Sequence, residues 1–127
     1  MSSTDQGQLD VLWNTVNKGL SEEENALKIG RHQFNGGSWQ EAVKWFAQAV
    51  GDNPWDLAAW RWREAAQAGL VTSEYQGYKD DVAAGVDALN NHEFERAEQL
   101  LTRHGIPALS GLAAEARCAA CCKRGCG

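Results

Sequence analysis

The chain has 127 residues, of which 43% are hydrophobic and 23% are charged, with a formal net charge of −5. That length and composition are typical of one globular domain whose core needs neither a metal nor a disulfide to close. All 17 acidic residues and nine of the 12 basic residues lie at or before Glu115. An acidic body disfavours nucleic acid as the partner, because phosphate binding needs a basic face.

The sequence predicts neither a transmembrane segment nor a signal peptide. Its apolar stretches are far shorter than the roughly 20 residues that span a bilayer. The N-terminal sequence MSSTDQGQLD lacks the basic start and apolar run of a signal peptide. We therefore expect a cytoplasmic protein without a transmembrane segment.

Apolar residues recur at helical spacing almost throughout the chain, and no stretch alternates as a strand would. A capping helix is predicted within residues 1–20, where an apolar stripe runs through Leu9, Leu12, Trp13, Val16 and Leu20. Ser21 and Glu24 read as a capping box that opens a second helix. The pair Gly36-Gly37 is expected to end that helix, since glycine is common just after helix C-termini.

The middle of the chain predicts two more helices. Ser38, with Glu41 three residues on, reads as a second capping box and opens a third helix that runs to Val50. Pro54 then lies in a turn and suits the start of a fourth helix over residues 57–69.

The remaining residues predict three further helices. A fifth starts at Thr72 or Ser73 and breaks at Asn90-Asn91, and a sixth holds Phe94, Ala97, Leu100 and Leu101 and stops at His104-Gly105. Pro107 permits a last, short helix. The predicted fold class is therefore all-α, an antiparallel helix-turn-helix array with a cysteine-rich tail.

Residues 23–56 resemble a tetratricopeptide repeat, a helix-turn-helix unit of 34 residues. The matching positions are Gly30, Phe34, Gly37, Trp39, Glu41, Ala42, Phe46, Ala49 and Pro54. The resemblance implies that small Gly30 and Ala42 let two antiparallel helices approach, while Phe34, Trp39 and Phe46 fill the space beside them. It divides the chain into a capping helix at 1–20, a repeat domain at 21–111 and a tail at 112–127.

The later repeats depart from a regular period. Trp60 lies 34 residues after Ala26, where a second repeat of the family often has tryptophan. Residues 78–111 give a looser copy, which contains Gly85, Leu89, Phe94, Ala97 and Leu101. Because Ala97 and Ala42 are not separated by a multiple of 34, either the second repeat is incomplete or its second helix merges with the fifth helix.

Repeats of this family stack and leave a concave face lined by the first helix of each pair. The resemblance places on this face Leu27, Arg31, Asn35, Arg61, Lys79, Val82, Val86 and Asn90. The family's clamp for a C-terminal carboxylate is not reproduced, because Leu27 and Arg31 replace the expected Lys and Asn. The basic residues still predict a mildly basic groove for a protein or peptide partner that carries carboxylates. The alternative is an ordinary solvated helix face.

The six tryptophans need separate interpretation. Trp39 is expected in the core by the repeat pattern, and we expect the same of Trp13 and Trp60. Trp60 and Trp62 lie two residues apart, so they cannot share one helix face. One of the two is therefore expected to be exposed or at an interface, where tryptophan favours a binding hot spot. The alternative is an additional buried layer that holds both.

The C-terminal tail holds all four cysteines, at Cys118, Cys121, Cys122 and Cys126. Four sulfurs with a C-x-x-C unit suit zinc or another thiophilic metal, although the adjacent pair is awkward for one ion. Lipidation through a thioester is a second possibility. A third is that the body is a recognition leader and the tail is modified, as in precursors of ribosomally made peptide natural products. An inert tail is the fourth.

Catalysis is not expected. His32, His92 and His104 are scattered along the chain without a serine or cysteine at a catalytic spacing. Each lies near a predicted helix end or polar face, where a solvated histidine is common. No glycine-rich phosphate loop is present. The sequence therefore predicts a binding adaptor or scaffold, with the thiol-bearing tail as the alternative function.

Overall fold

A computed structural model describes residues 21–123, and over this range the chain is helical and contains no strand. The predicted all-α class is confirmed. The predicted capping helix of residues 1–20 lies outside the described range. The six helices are α1 (21–35), α2 (Trp39–Asp52), α3 (Leu57–Val71), α4 (Lys79–Asn90), α5 (Phe94–Thr102) and α6 (Ser110–Lys123).

The turn between α1 and α2 forms as the glycine pair predicts. Gly37 adopts the left-handed backbone conformation, with a φ of 79°, which glycine reaches without strain. The backbone N–H of Ser38 donates to the Gln33 carbonyl at 2.9 Å and thereby closes the end of α1. The predicted capping box is wrong in one respect, because the Ser38 side chain makes no capping hydrogen bond.

Aromatic rings fill the space between α1, α2 and α3. The Phe34 ring is fully buried and makes edge-to-face contacts with Trp39, Trp62 and Tyr75, at centroid distances of 5.3, 5.4 and 6.2 Å. Such edge-to-face pairs add to the stabilisation that comes from burial alone. The core predicted for Phe34 and Trp39 is therefore present, and Trp62 and Tyr75 extend it.

A glycine on α1 makes room for a ring on α2. A methyl group at Gly30 would lie 2.6 Å from the Phe46 Cε1 atom, which is closer than two carbons can approach. Ala42, the other small residue of the repeat pattern, is also fully buried. Gly30 thus lets the two helices pack with the Phe46 ring directly against the α1 backbone.

The repeat pattern would place a long antiparallel helix directly after α3, but the chain forms none there. In its place stands a 3-10 turn, Tyr75–Gly77, and α4 begins only at Lys79. Tyr75 is fully buried, and its hydroxyl donates to the Ala65 carbonyl at 2.7 Å, which anchors the segment against α3. The predicted start of the fifth helix at Thr72 or Ser73 is therefore wrong, because that α-helix begins at Lys79.

Helices α4 and α5 form a second hairpin, and α6 packs on α5. The turn contains His92 in the left-handed conformation, with a φ of 63°. Helix α6 is longer than the short helix expected, and its Leu112, Ala113 and Ala116 belong to the same buried cluster as α1–α5. The boundary drawn at residue 111 therefore falls within α6.

None of the helices described between residues 21 and 123 is long and apolar enough to cross a bilayer.

Candidate peptide-binding groove

The five polar groove residues predicted from the sequence lie on three helices. Arg31 and Asn35 are on α1, Arg61 is on α3, and Lys79 and Asn90 are on α4. The Lys79 ammonium donates a hydrogen bond to the Asn35 carbonyl oxygen, and Arg61 Nη1 donates to Asn90 Oδ1 at 2.9 Å. The structure thus brings residues of these helices together in pairs.

Acidic residues compensate the two arginines of this surface. Arg31 Nη2 lies 2.9 Å from Asp87 Oδ2 on α4, and Arg61 Nε lies 2.8 Å from Glu115 Oε1 on α6. The Arg61 side chain is only 15% exposed, whereas the Arg31 side chain is 46% exposed. Arg61 therefore links α3 to α4 and α6 by hydrogen bonds. Of the two arginines, Arg31 is the one that a partner can reach.

A depression of about 690 Å³ opens between α1 and α3. Its apolar floor is formed by Leu27, Ala58 and Trp62, and its polar rim by residues of α1. The rim residues are Glu24, Lys28, Arg31, His32 and Asn35. The volume lies within the roughly 300–1,000 Å³ of pockets that hold small ligands, so it can accept side chains of a peptide.

Trp62 positions the arginine of the rim. The Arg31 guanidinium carbon lies 4.6 Å from the centre of the Trp62 ring, within the range of a cation–π contact. The tryptophan itself is 4% exposed and packs between Phe34 and the Phe46 ring. The sequence predicts a hot spot at Trp60 or Trp62 but does not assign Trp62 to the groove, because the repeat pattern does not show that its ring lies under Arg31.

Neither Trp60 nor Trp62 is exposed, and of the two alternatives the structure supports the additional buried layer. Helix α3 packs on two sides, so Trp62 enters the main core while Trp60, half-buried, packs on a second cluster of Ala26, Ala49, Val50 and Ala59. The Trp60 indole N–H donates to the Pro54 carbonyl at 3.0 Å. The exposed tryptophan is instead Trp55, in the turn before α3, with 90% of its surface exposed.

Two of the apolar groove residues are not available to a partner. Val82 and Val86 were expected on the concave face, but they are 1% and 0% exposed and belong to the main core. Their face of α4 is covered by the neighbouring helices, because the array is not a regular stack at α3. Leu27 does line the depression, as expected.

The cysteine tail is only partly described. Cys118 and Cys122 are exposed free thiols on α6, and Cys126 lies outside the described residues. Within residues 21–123, no group of three or more histidine, cysteine or acidic side chains is arranged to hold a metal ion. The predicted four-thiol metal site stays a prediction.

One histidine does meet a carboxylate. His104 Nε2 lies 2.6 Å from Asp81 Oδ2, and its ring stacks on Tyr78 at 3.9 Å. The hydrogen bond with His104, together with the nearby Arg103 charge, holds the pKa of Asp81 below its usual value. These contacts join the residues that follow α5 to the first turn of α4, which gives the pair a structural role in the hairpin.

Comparisons with family models, with curated proteins and with solved structures find no match for this chain. The tetratricopeptide resemblance therefore depends on the pattern of residues 23–56 and stays a prediction.

Proposed function

We propose that this protein is an adaptor or scaffold that binds an acidic peptide segment of another protein in the depression between α1 and α3. The observation that carries this proposal is the half-buried apolar pair Leu27 and Ala58 beside the accessible guanidinium of Arg31, which the buried Trp62 ring supports from below. A peptide with a hydrophobic side chain next to a carboxylate would match both features. No cofactor is needed for this role.

Arg31 has the donors that such a peptide requires. A guanidinium carries five N–H donors in a planar fork, and Asp87 accepts a hydrogen bond from one nitrogen, Nη2. A carboxylate from a partner can bind the remaining donors, and paired donors to one carboxylate give strong and directional bonds. The cation–π contact with Trp62 restricts the arginine, so less conformational entropy is lost on binding.

The position of the depression also supports the proposal. In arrays of helical repeats, the concave binding surface is lined by the first helix of each pair. The residues that line the depression come from α1 and α3, the two helices to which the tetratricopeptide resemblance assigns that place.

The proposal is tested by selecting binders from a displayed library of random dodecapeptides. We expect enrichment of sequences with Asp or Glu beside a large apolar residue. For the best peptide, Arg31→Ala should raise the Kd at least about tenfold, and high salt should weaken binding. Fluorescence anisotropy of the labelled peptide measures both effects.

Arg117→Ala is the matched control, because Arg117 is also exposed and paired, in its case with Glu98 at 3.3 Å. It should leave the Kd unchanged. Selected peptides without acidic residues, or a Kd that is insensitive to Arg31→Ala, would contradict the proposed function.

A further inference from the structure

A buried glutamate joins the beginnings of the two helices that border the depression. Glu23, on the first described turn of α1, is 5% exposed. Its Oε2 accepts a hydrogen bond from Asn53 Nδ2 at 3.0 Å, in the turn that follows α2. The residue therefore connects α1 to the segment between α2 and α3.

The surroundings of this carboxyl group are acidic. Asp52 at the end of α2 and Asp56 before α3 both contribute negative charge at Glu23, and the carboxyl groups of Glu23 and Asp56 are close enough to share a hydrogen bond. Among the described residues that influence its ionisation there is no cation, and Asn53 is the single group that favours the charged form.

Hydrogen bonding indicates which form of Glu23 suits this position. Its Oε1 atom is buried without a partner, and so is Asp52 Oδ2. If Glu23 were ionised, a buried negative charge would have a single hydrogen-bond donor, the Asn53 amide, and would lie near two aspartates. Burying a charge with so little compensation lowers the stability of the fold. A protonated glutamate has an O–H that can donate to Asp56, and two carboxyl groups that share one proton satisfy each other.

Glu23 and Asp56 are close in the structure to two residues that line the depression, Ala58 and Leu27. Asp56 caps α3 by accepting a hydrogen bond from the Ala58 N–H at 3.0 Å, and Ala58 is part of the apolar floor. On α1, Leu27 lies one turn after Glu23 and forms the opposite part of that floor. Glu23 is therefore placed where its ionisation can affect the positions of both Leu27 on α1 and Ala58 on α3.

We propose that Glu23 holds a proton that it shares with Asp56, and that the loss of this proton loosens the junction of α1, α2 and α3 and with it the depression. The effect on the depression rests on the proposed function, whereas the effect on the junction does not. Burial, with the two aspartates, raises the pKa of Glu23 to about 7. An acid whose pKa is raised by folding stabilises the fold fully below its unfolded pKa and loses that contribution as the pH rises to the folded value.

Chemical unfolding of wild type and Glu23→Gln between pH 5 and pH 8.5 tests the junction. The glutamine amide reproduces the protonated form, since it can accept from Asn53 and donate to Asp56. We expect similar stabilities near pH 5, and above pH 7 an unfolding equilibrium constant that is about 10- to 100-fold larger for wild type than for the variant. Glu64→Gln, at an exposed position of α3, is the control and should follow the wild-type profile.

A second variant makes the test independent of how well glutamine fits. Asp56→Asn keeps a helix-capping oxygen but removes the charge beside Glu23, so it should reduce the pH dependence of unfolding. Profiles of wild type, Glu23→Gln and Asp56→Asn that run parallel would overturn the proposal.

The link to the depression is measured with the peptide obtained from the library. Between pH 6 and pH 8.5 its Kd should rise severalfold more for wild type than for Glu23→Gln, because the other ionisable groups of the rim are the same in both proteins. Equal pH dependence in both proteins would overturn the link. If no peptide binds at either pH, the proposed function fails, while the unfolding profiles still decide the role of Glu23.

Discussion

The two halves of the helical array build their cores from different side chains. The large buried or half-buried side chains at the centre of α1–α3 and the turn after it are mostly aromatic: Phe34, Trp39, Phe46, Trp62 and Tyr75. The large buried side chains of α4–α6 are aliphatic: Val82, Val86, Leu89, Leu101, Leu109 and Leu112. Two half-buried rings of this second half, Tyr78 and Phe94, pack against the core from its edge. Aromatic side chains are large and rigid, so a few of them fill the core of the first half. Aliphatic side chains are smaller and have more rotamers, so the core of the second half can adjust more easily.

In both halves a glycine makes room for a large side chain, but the halves differ in how well the neighbouring side chain could adjust to a methyl group at that glycine. A methyl group at Gly69 would meet the Trp39 ring at 2.7 Å, as one at Gly30 would meet Phe46. At Gly85 on α4 it would meet Leu101 Cγ at 2.8 Å. A leucine can change its rotamer, but a buried ring with aromatic neighbours has few alternatives. We therefore expect the aromatic half to be the less tolerant of substitution.

The largest difference between the halves is expected on truncating the central ring. Phe34→Ala removes the one residue that contacts Trp39, Trp62 and Tyr75, and it should lower the free energy of unfolding by about 3–5 kcal/mol. Leu89→Ala, an equally buried position on α4, should cost about 2–4 kcal/mol, since the aliphatic core can close part of the cavity. Urea unfolding measures both.

Trp55→Ala is the control for this pair, because it removes an aromatic ring that is 90% exposed. It should change stability by less than about 0.5 kcal/mol. A larger loss for Leu89→Ala than for Phe34→Ala would show that the aromatic half is not the more demanding one.

Substitution of the glycines by alanine is expected to have the next largest effect on stability. Gly30→Ala should lower stability by about 1–2 kcal/mol, because the overlap with Phe46 outweighs the higher helix propensity of alanine. Gly85→Ala should cost less, since Leu101 can move. Gly51→Ala, in α2 with open space around it, should leave stability unchanged or raise it by up to about 1 kcal/mol. Thermal unfolding of the three variants establishes the order, and equal losses at Gly30 and Gly85 would remove the distinction between rings and leucines.

The sequence predicts the regular parts of this fold well. Helical periodicity with the glycine pair at 36–37 locates α1, α2 and their turn, because these signals act over a few neighbouring residues. The 3-10 turn at Tyr75–Gly77 was not predicted, since it depends on the Tyr75 hydroxyl reaching Ala65 across the core. The length of α6 was likewise missed, because alanine and cysteine there give little periodic contrast.

The site was harder to predict than the fold. The resemblance assigns the basic residues of the predicted groove by their positions in the repeat pattern, but it does not indicate their acidic partners. Asp87 is 56 residues from Arg31, and Glu115 is 54 residues from Arg61. Pairing over such separations depends on how α4 and α6 pack against α1 and α3, which local spacing does not encode. The burial of Val82 and Val86 has the same origin.

Arg61 links the two halves of the array by polar bonds. From α3 it donates to Asn90 on α4 and to Glu115 on α6. Arg61→Ala should lower stability by about 1–2 kcal/mol, because the arginine is mostly buried and its partners lose a charged donor. Arg31→Ala, at an exposed pair, should cost less than about 1 kcal/mol.

A double-mutant cycle of Arg61→Ala and Glu115→Ala, followed by urea unfolding, isolates the contribution of this ion pair. Glu115 is 40% exposed, so solvent screening should keep the coupling between about 0.5 and 1 kcal/mol. A coupling near zero would mean that α6 is held to the aromatic half by apolar contacts alone. In that case the polar bonds of Arg61 would determine how the two halves align, without adding to the stability of the array.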